Sequence, residues 1–140
     1  MNENRKKRIN DYIQQDAFAN WLGAEVKILK PGSSRVKLEI TEAMTNFHGC
    51  AHGGVIFALS DIAFGAASNS RGQTAVALNV GINFIKAAVV GDRLVAEAVE
   101  QTESGPTATY DIVIRNELTG EIIAKSQNLV YRKKEWFVEQ

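Results

Sequence analysis

The 140 residues suffice for one domain with one core, at about 100–200 residues per domain, and exclude a two-domain enzyme. With 45% apolar and 23% charged residues, the chain is neither disordered, collagen-like nor a disulfide scaffold. Sixteen basic side chains against sixteen acidic ones leave a formal charge of zero, so no global field gathers nucleic acid or anionic lipid, and neither is expected as a partner.

The first twenty residues carry Arg5, Lys6, Lys7 and Arg8 but no apolar signal region, and the single cysteine, Cys50, cannot close an intramolecular disulfide. A cytoplasmic protein is expected. The longest apolar stretch, 55–67, is interrupted by Ser60 and Asp61 and falls short of the ~20 residues that span a bilayer, so no membrane segment is expected.

Over 5–22, Ile9, Tyr12, Ile13, Ala17, Trp21 and Leu22 recur at helical spacing and Gly23 follows as a stop, which predicts one amphipathic helix. Its basic cluster reads as a solvated helix face without function. After Gly23 the period becomes two: Ala24, Val26 and Ile28, the turn Lys30-Pro31-Gly32-Ser33, then Val36, Leu38 and Ile40 predict two antiparallel strands with one wet face. From Gly53 to about Ser70, apolar residues cover nearly every direction around a helix axis, which predicts a buried helix. Strands follow at about 74–86, 92–103, 107–117 and 121–132, read as a hairpin-linked meander of four. The expected class is α+β: a curved antiparallel sheet wrapped around a long central helix, with an extra N-terminal helix, all in one domain over 1–140.

Asp61 demands a reason, because an unpaired carboxylate in a buried helix costs several kcal/mol or has a raised pKa. It is a catalytic candidate, with a solvent gap or a bond to Ser60 or Ser68 as the alternative. The polar, glycine-rich run 46–54 enters the N-terminus of the same helix, where free N–H groups and the dipole suit a developing oxyanion. Gly53 and Asp61 are eight residues apart, about 12 Å along a helix and too far to serve one carbonyl carbon. Two such helices running antiparallel across a twofold axis would bring Gly53 of one protomer to Asp61 of the other, so a dimer with shared sites is expected. Gly65 would allow close helix approach in that dimer, or against the sheet. His48, Cys50 and His52 are ligand types without a third or fourth partner nearby, so no metal is expected, and Cys50 as nucleophile would need His52 as base. No G-x-S-x-G elbow or P-loop occurs.

The stretch 46–69, N-F-H-G-C-A-H-G-G-V-I-F-A-L-S-D-I-A-F-G-A-A-S-N, resembles the signature of hotdog-fold acyl-CoA thioesterases of the phenylacetic-acid-degradation (PaaI-type) branch. The likeness continues through Asn83-Phe84-Ile85-Lys86, Gly91-Asp92 and Tyr110-Asp111-Ile112, and covers about 15–132. The resemblance implies that Asp61 is the nucleophile or general base, that the Gly53 N–H polarises the thioester carbonyl, that Asn46 positions water or thioester and that His52 supports the loop. It implies Gly54, Phe57 and Lys86 on the substrate, no metal, and no cofactor beyond the coenzyme A of an acyl-CoA substrate. A homodimer with shared sites, pairing into a homotetramer, is implied as well. Two positions depart from the pattern: Lys86-Ala87 stands where relatives often carry Arg-Pro, and the position of an assisting Ser or Thr falls near Ala77.

The expected activity is hydrolysis of a short-chain or aromatic acyl-CoA. A non-catalytic acyl-CoA binding or sensor module of the same fold is the alternative. A hydratase would need an acid–base pair facing the acyl β-carbon, and His52 lies too near the oxyanion position for that.

Overall fold

A computed structural model describes residues 1–140. Asn2 caps α1 (Glu3–Ile13), accepting from the Arg5 N–H at 2.7 Å. The single helix expected over 5–22 is two. Asp16 breaks it, because its carboxylate caps the new helix α2 (Ala17–Leu22), accepting from the Ala19 N–H at 3.0 Å. A short acidic side chain that competes for backbone N–H groups favours such a cap over a helix interior. Gly23 ends α2 in the left-handed region, φ 82°, as a stop glycine should.

Strands β1 (Glu25–Lys30) and β2 (Ser33–Glu39) pair antiparallel across the Pro31-Gly32 turn. Val36, Leu38 and Ile40 are buried, while Arg35, Lys37 and Glu39 face outward, so the period-two pattern carried the right face. After the helix α3 (Gly53–Ser68) come β3 (Gln73–Phe84), β4 (Arg93–Ser104), β5 (Thr107–Asn116) and β6 (Ile122–Trp136). All six strands form one antiparallel sheet in the order β1-β2-β4-β5-β6-β3. The helix α3 touches every strand, so the sheet wraps around it as expected.

The meander of four is corrected to three. Of these four strands only β4, β5 and β6 are consecutive neighbours; β3 lies at the far edge against β6. The segment 85–92 is too long for a tight hairpin and bonds elsewhere: Ile85 and Lys86 donate to the Ile123 carbonyl, Ala51 donates to Ala88, and Gly91 donates to Ile40. The turn at Gly91-Asp92 is real, but it delivers β4 to β2.

The helix α3 is not buried all round. Leu59, Ala63, Phe64 and Ala67 are fully enclosed in a core cluster of 25 residues, and burying a leucine such as Leu59 contributes about 1.5–3 kcal/mol. Gly54, Phe57 and Asp61 are exposed and Gly65 is half-buried; at steps of three and four residues they form one open stripe. Apolar composition hid this stripe, because Phe57 and the glycines count as core types.

The expectation that the basic cluster is a solvated face fails at Arg5. Its guanidinium donates to the carbonyls of Glu139 at 2.8 Å and Arg71 at 2.6 Å and lies over the Trp136 ring, joining the two ends of the chain. Gly72, at φ 89°, has no room for a Cβ there, which would lie 2.9 Å from the Val138 carbonyl. No helix is long and apolar enough to cross a membrane.

Candidate active site

The α3 N-terminus is built by the loop before it. Asn46 organises that loop: its Oδ1 accepts from the N–H groups of His48 at 3.0 Å and Cys50 at 3.3 Å, and its own N–H donates to Cys50 O at 2.8 Å. His52 is the N-cap, with extended backbone, and its Nδ1 accepts from the Gly54 N–H at 2.8 Å. Val55 N–H donates back to His52 O at 2.9 Å. Of the first three amides of α3, Gly53 alone is left without an acceptor in the chain. The positive end of the helix dipole thus presents one free donor. The His52 ring faces Gly54, and no hydrogen bond joins it to Cys50.

Gly53 and Asn46 open into one cleft of about 280 Å³, whose other walls include Phe84, Lys86 and Cys50. Lys86 therefore reaches the expected neighbourhood, but its ammonium is paired with Glu121. Phe84 approaches Gly53 closely enough that a Cβ there would sit 3.7 Å from its ring.

Asp61 lies two turns further along α3 in a second cleft, of about 440 Å³, with Ile62, Gly65 and Asn69 of the same helical segment, Tyr12 and Asp16 from the N-terminal helices, and Phe137 near the C-terminus. The carboxylate accepts no hydrogen bond from Ser60 or Ser68; the Ser68 hydroxyl donates to Gly65 O, and the buried Ser60 hydroxyl has no partner. Asp61 is exposed in the single chain, in contrast to the full burial expected, yet desolvation by the cleft walls raises its pKa above the ordinary aspartate value, and the Asp16 charge across the cleft raises it further. Phe57, one turn before Asp61, lies on the open stripe outside both clefts.

The chain therefore carries two clefts along α3, one with a free amide at Gly53 and one with an acid at Asp61, separated by about 12 Å of helix. The open stripe of Gly54, Phe57, Asp61 and Gly65 runs along the same helix. No group of three or more His, Cys, Asp or Glu residues converges anywhere. Ala77 stands on β3, exposed and without a hydroxyl. A Cβ at Gly65 would meet nothing within 4 Å, so contact with the sheet is not what requires that glycine. Tyr12, Asp16 and Phe137 were not marked as site residues by sequence. Tyr12 matched a core position of the first helix, Phe137 lies beyond the recognisable segment, and only the capping preference of Asp16 was a local signal.

Residues 48–123 match the family profile described as the Thioesterase superfamily. The chain is 38% identical over 104 residues to the acyl-coenzyme A thioesterase PaaI of Escherichia coli K12, with 74% of each chain covered. It superimposes on the structure of the E. coli PaaI protein from the phenylacetic acid degradation operon with a TM-score of 0.89 at 30% identity, covering 95% of this chain and 96% of that one. A Thermus thermophilus protein matches with a TM-score of 0.80 at 39% identity, over 85% and 99% of the two chains. A Streptococcus mutans protein whose structure holds acetyl CoA matches with a TM-score of 0.74 at 29% identity, over 79% and 88%.

Proposed function

The chain belongs to the thioesterase superfamily, as a hotdog-fold thioester hydrolase of PaaI type, and from that premise we propose that its substrate is a short-chain or aromatic, phenylacetyl-type acyl-CoA. The products are the free acid and coenzyme A; coenzyme A belongs to the substrate, and no separate cofactor or metal is invoked. The observation that carries the proposal is the division of the chemistry along α3: one cleft offers a free N–H donor and the other an ionisable acid, about 12 Å apart on one helix.

Two α3 helices packed antiparallel across a twofold axis join the Gly53 half of one protomer to the Asp61 half of its partner, giving two equivalent sites. The sheet edges support this pairing. The edge strand β1 carries Glu25, Lys27 and Lys30, the charges by which proteins protect an open edge. The other edge, β3, runs for 12 residues without a charge and exposes Val76, Leu78 and Phe84. An unguarded apolar edge of that length calls for a second strand, and a second copy of β3 supplies it. Pairing of such dimers into a tetramer, with Gly54 and Phe57 lining the shared groove, completes the proposed assembly.

In the joined site the Gly53 N–H stabilises the charge that develops on the thioester oxygen, while Asn46 orients water or thioester from the same loop. Asp61 acts as general base for a water that attacks the carbonyl and expels the coenzyme A thiolate, or attacks the carbonyl itself, expelling the thiolate and leaving an acyl–aspartyl anhydride that water then hydrolyses to the free acid. Both routes need Asp61 ionised, so activity falls as pH drops through its raised pKa. Asp16→Asn removes the neighbouring like charge while its side-chain oxygen can still cap α2. The acid limb of the kcat/KM profile is expected to move to lower pH in that variant.

Release of thiol, measured across acetyl, butyryl, phenylacetyl and medium-chain acyl-CoA esters, tests the function. Turnover of at least one of these esters is expected. Tight binding of the same esters without thiol release would favour a binding or sensor module.

A further inference from the structure

The acid cleft has a wall that the catalytic roles leave unused. Tyr12 and Phe137 stack there, with ring centroids 4.4 Å apart and planes 19° from parallel. They come from opposite ends of the chain and are held by backbone rather than by each other alone. The Phe137 N–H donates to Gly72 O at 2.9 Å, and the next turn of the tail is tied to α1 through Arg5 and the Glu139 carbonyl. On the other side, the Gln14 side chain donates to Val26 O at 2.8 Å and fixes the end of α1 against β1. The floor is α3 at Ile62, Gly65 and Ala66, apolar and bare at Gly65, where a Cβ would meet nothing within 4 Å.

We propose that this cleft is the acyl subsite and that Tyr12 and Phe137 are its specificity-determining residues, selecting a flat aromatic acyl group laid against their stack and over Gly65. The assignment rests on the thioesterase reading, which puts the reacting carbonyl beside Asp61 at this cleft. A volume of about 440 Å³ is within the range of small-ligand pockets, roughly 300–1,000 Å³. Aromatic rings favour offset stacking on an existing pair, which an aliphatic chain of similar length cannot exploit. Tyr12 and Phe137 both fall outside 48–123, the segment shared with the family profile. The acyl preference is thus set by the two termini of this chain, not by the segment that carries Gly53 and Asp61.

The test is the ratio of kcat/KM for phenylacetyl-CoA over butyryl-CoA in the full-length protein and in Tyr12→Ala and Phe137→Ala. Each substitution is expected to lower the ratio about tenfold, mainly through KM for the aromatic ester, the scale of one lost apolar pocket contact. Phe137→Leu keeps apolar bulk but removes the ring, and its ratio decides the matter should Phe137→Ala fail to fold. An active wild-type protein with an unmoved ratio in folded variants overturns the subsite assignment alone. A wild-type protein that turns over other acyl-CoA esters but not phenylacetyl-CoA likewise overturns the assignment alone, and one silent on every ester, acetyl to medium-chain, overturns the thioesterase reading with it.

Discussion

Asp61→Asn should lower thioester turnover by about 10²–10⁴-fold while the chain keeps its fold, as loss of a catalytic base or nucleophile does. The substitution is nearly isosteric, and the carboxylate accepts no hydrogen bond within the chain, so no partner is orphaned. The same variant should melt at a higher temperature near neutral pH. The folded chain raises the Asp61 pKa, chiefly through desolvation and then through Asp16, so it binds that proton more tightly than the unfolded chain does. Above the raised pKa the ionised group therefore opposes folding, and below the ordinary carboxylate range the opposition vanishes. The melting advantage of the variant should accordingly be present at pH 7 and disappear by about pH 3. A loss of turnover with a lowered melting temperature would point to general disruption, whereas a loss with the fold intact marks an acid that the reaction uses.

Gly53→Pro should be the second large effect, about 10²–10³-fold in kcat, the range seen when one oxyanion donor is removed. A backbone donor cannot be deleted by changing a side chain, but proline deletes it, and position 53 is the first residue of α3, where proline is tolerated. The preceding residue is already compatible: His52 has φ −60° and ψ 136°, the extended geometry that a following proline requires. Gly53→Ala is the control. It keeps the N–H and places a Cβ 3.7 Å from Phe84, an ordinary contact, so its kcat should stay close to that of the wild-type protein. Thiol release by both variants, with melting curves alongside, separates loss of the donor from loss of the helix.

The parts of the fold that local chemistry dictates were legible in the sequence. Alternation marked the buried face of β2, and the glycine-rich entry and apolar run marked α3 within two residues of its ends. The misreadings were of partner choice and exposure, which no local period records. Gly91-Asp92 is a genuine turn, but whether it joins β4 to β3 or to β2 is decided by hydrogen bonds from 85–91 to Ile123, Ala51 and Ile40, far away in sequence. Asp61 and Gly65 stood out in the sequence, but the exposure of Gly54 and Phe57 beside them did not, because glycine and phenylalanine are types that also fill cores. Asn46 to Gly53 lie on one continuous stretch of chain, so the residues of that cleft could be singled out together from sequence. The Asp61 cleft is walled by Tyr12, Asp16 and Phe137, which only the folded chain brings to Asp61. Asp16 shows how a small rule reaches the site: its preference for capping ends α1 early and sets a second carboxylate facing the first.

The claim on which the account rests is that each working site takes its amide donor from one protomer and its acid from the other. Co-expression of Asp61→Asn and Gly53→Pro chains, each inactive alone, tests it through the thiol-release rate of the mixed dimers. Shared sites predict recovery of about a quarter of wild-type activity from an equal mixture, since half of the dimers are mixed and each of these has one intact site of two. A mixture no more active than its two parents, in dimers verified to have exchanged, would contradict it.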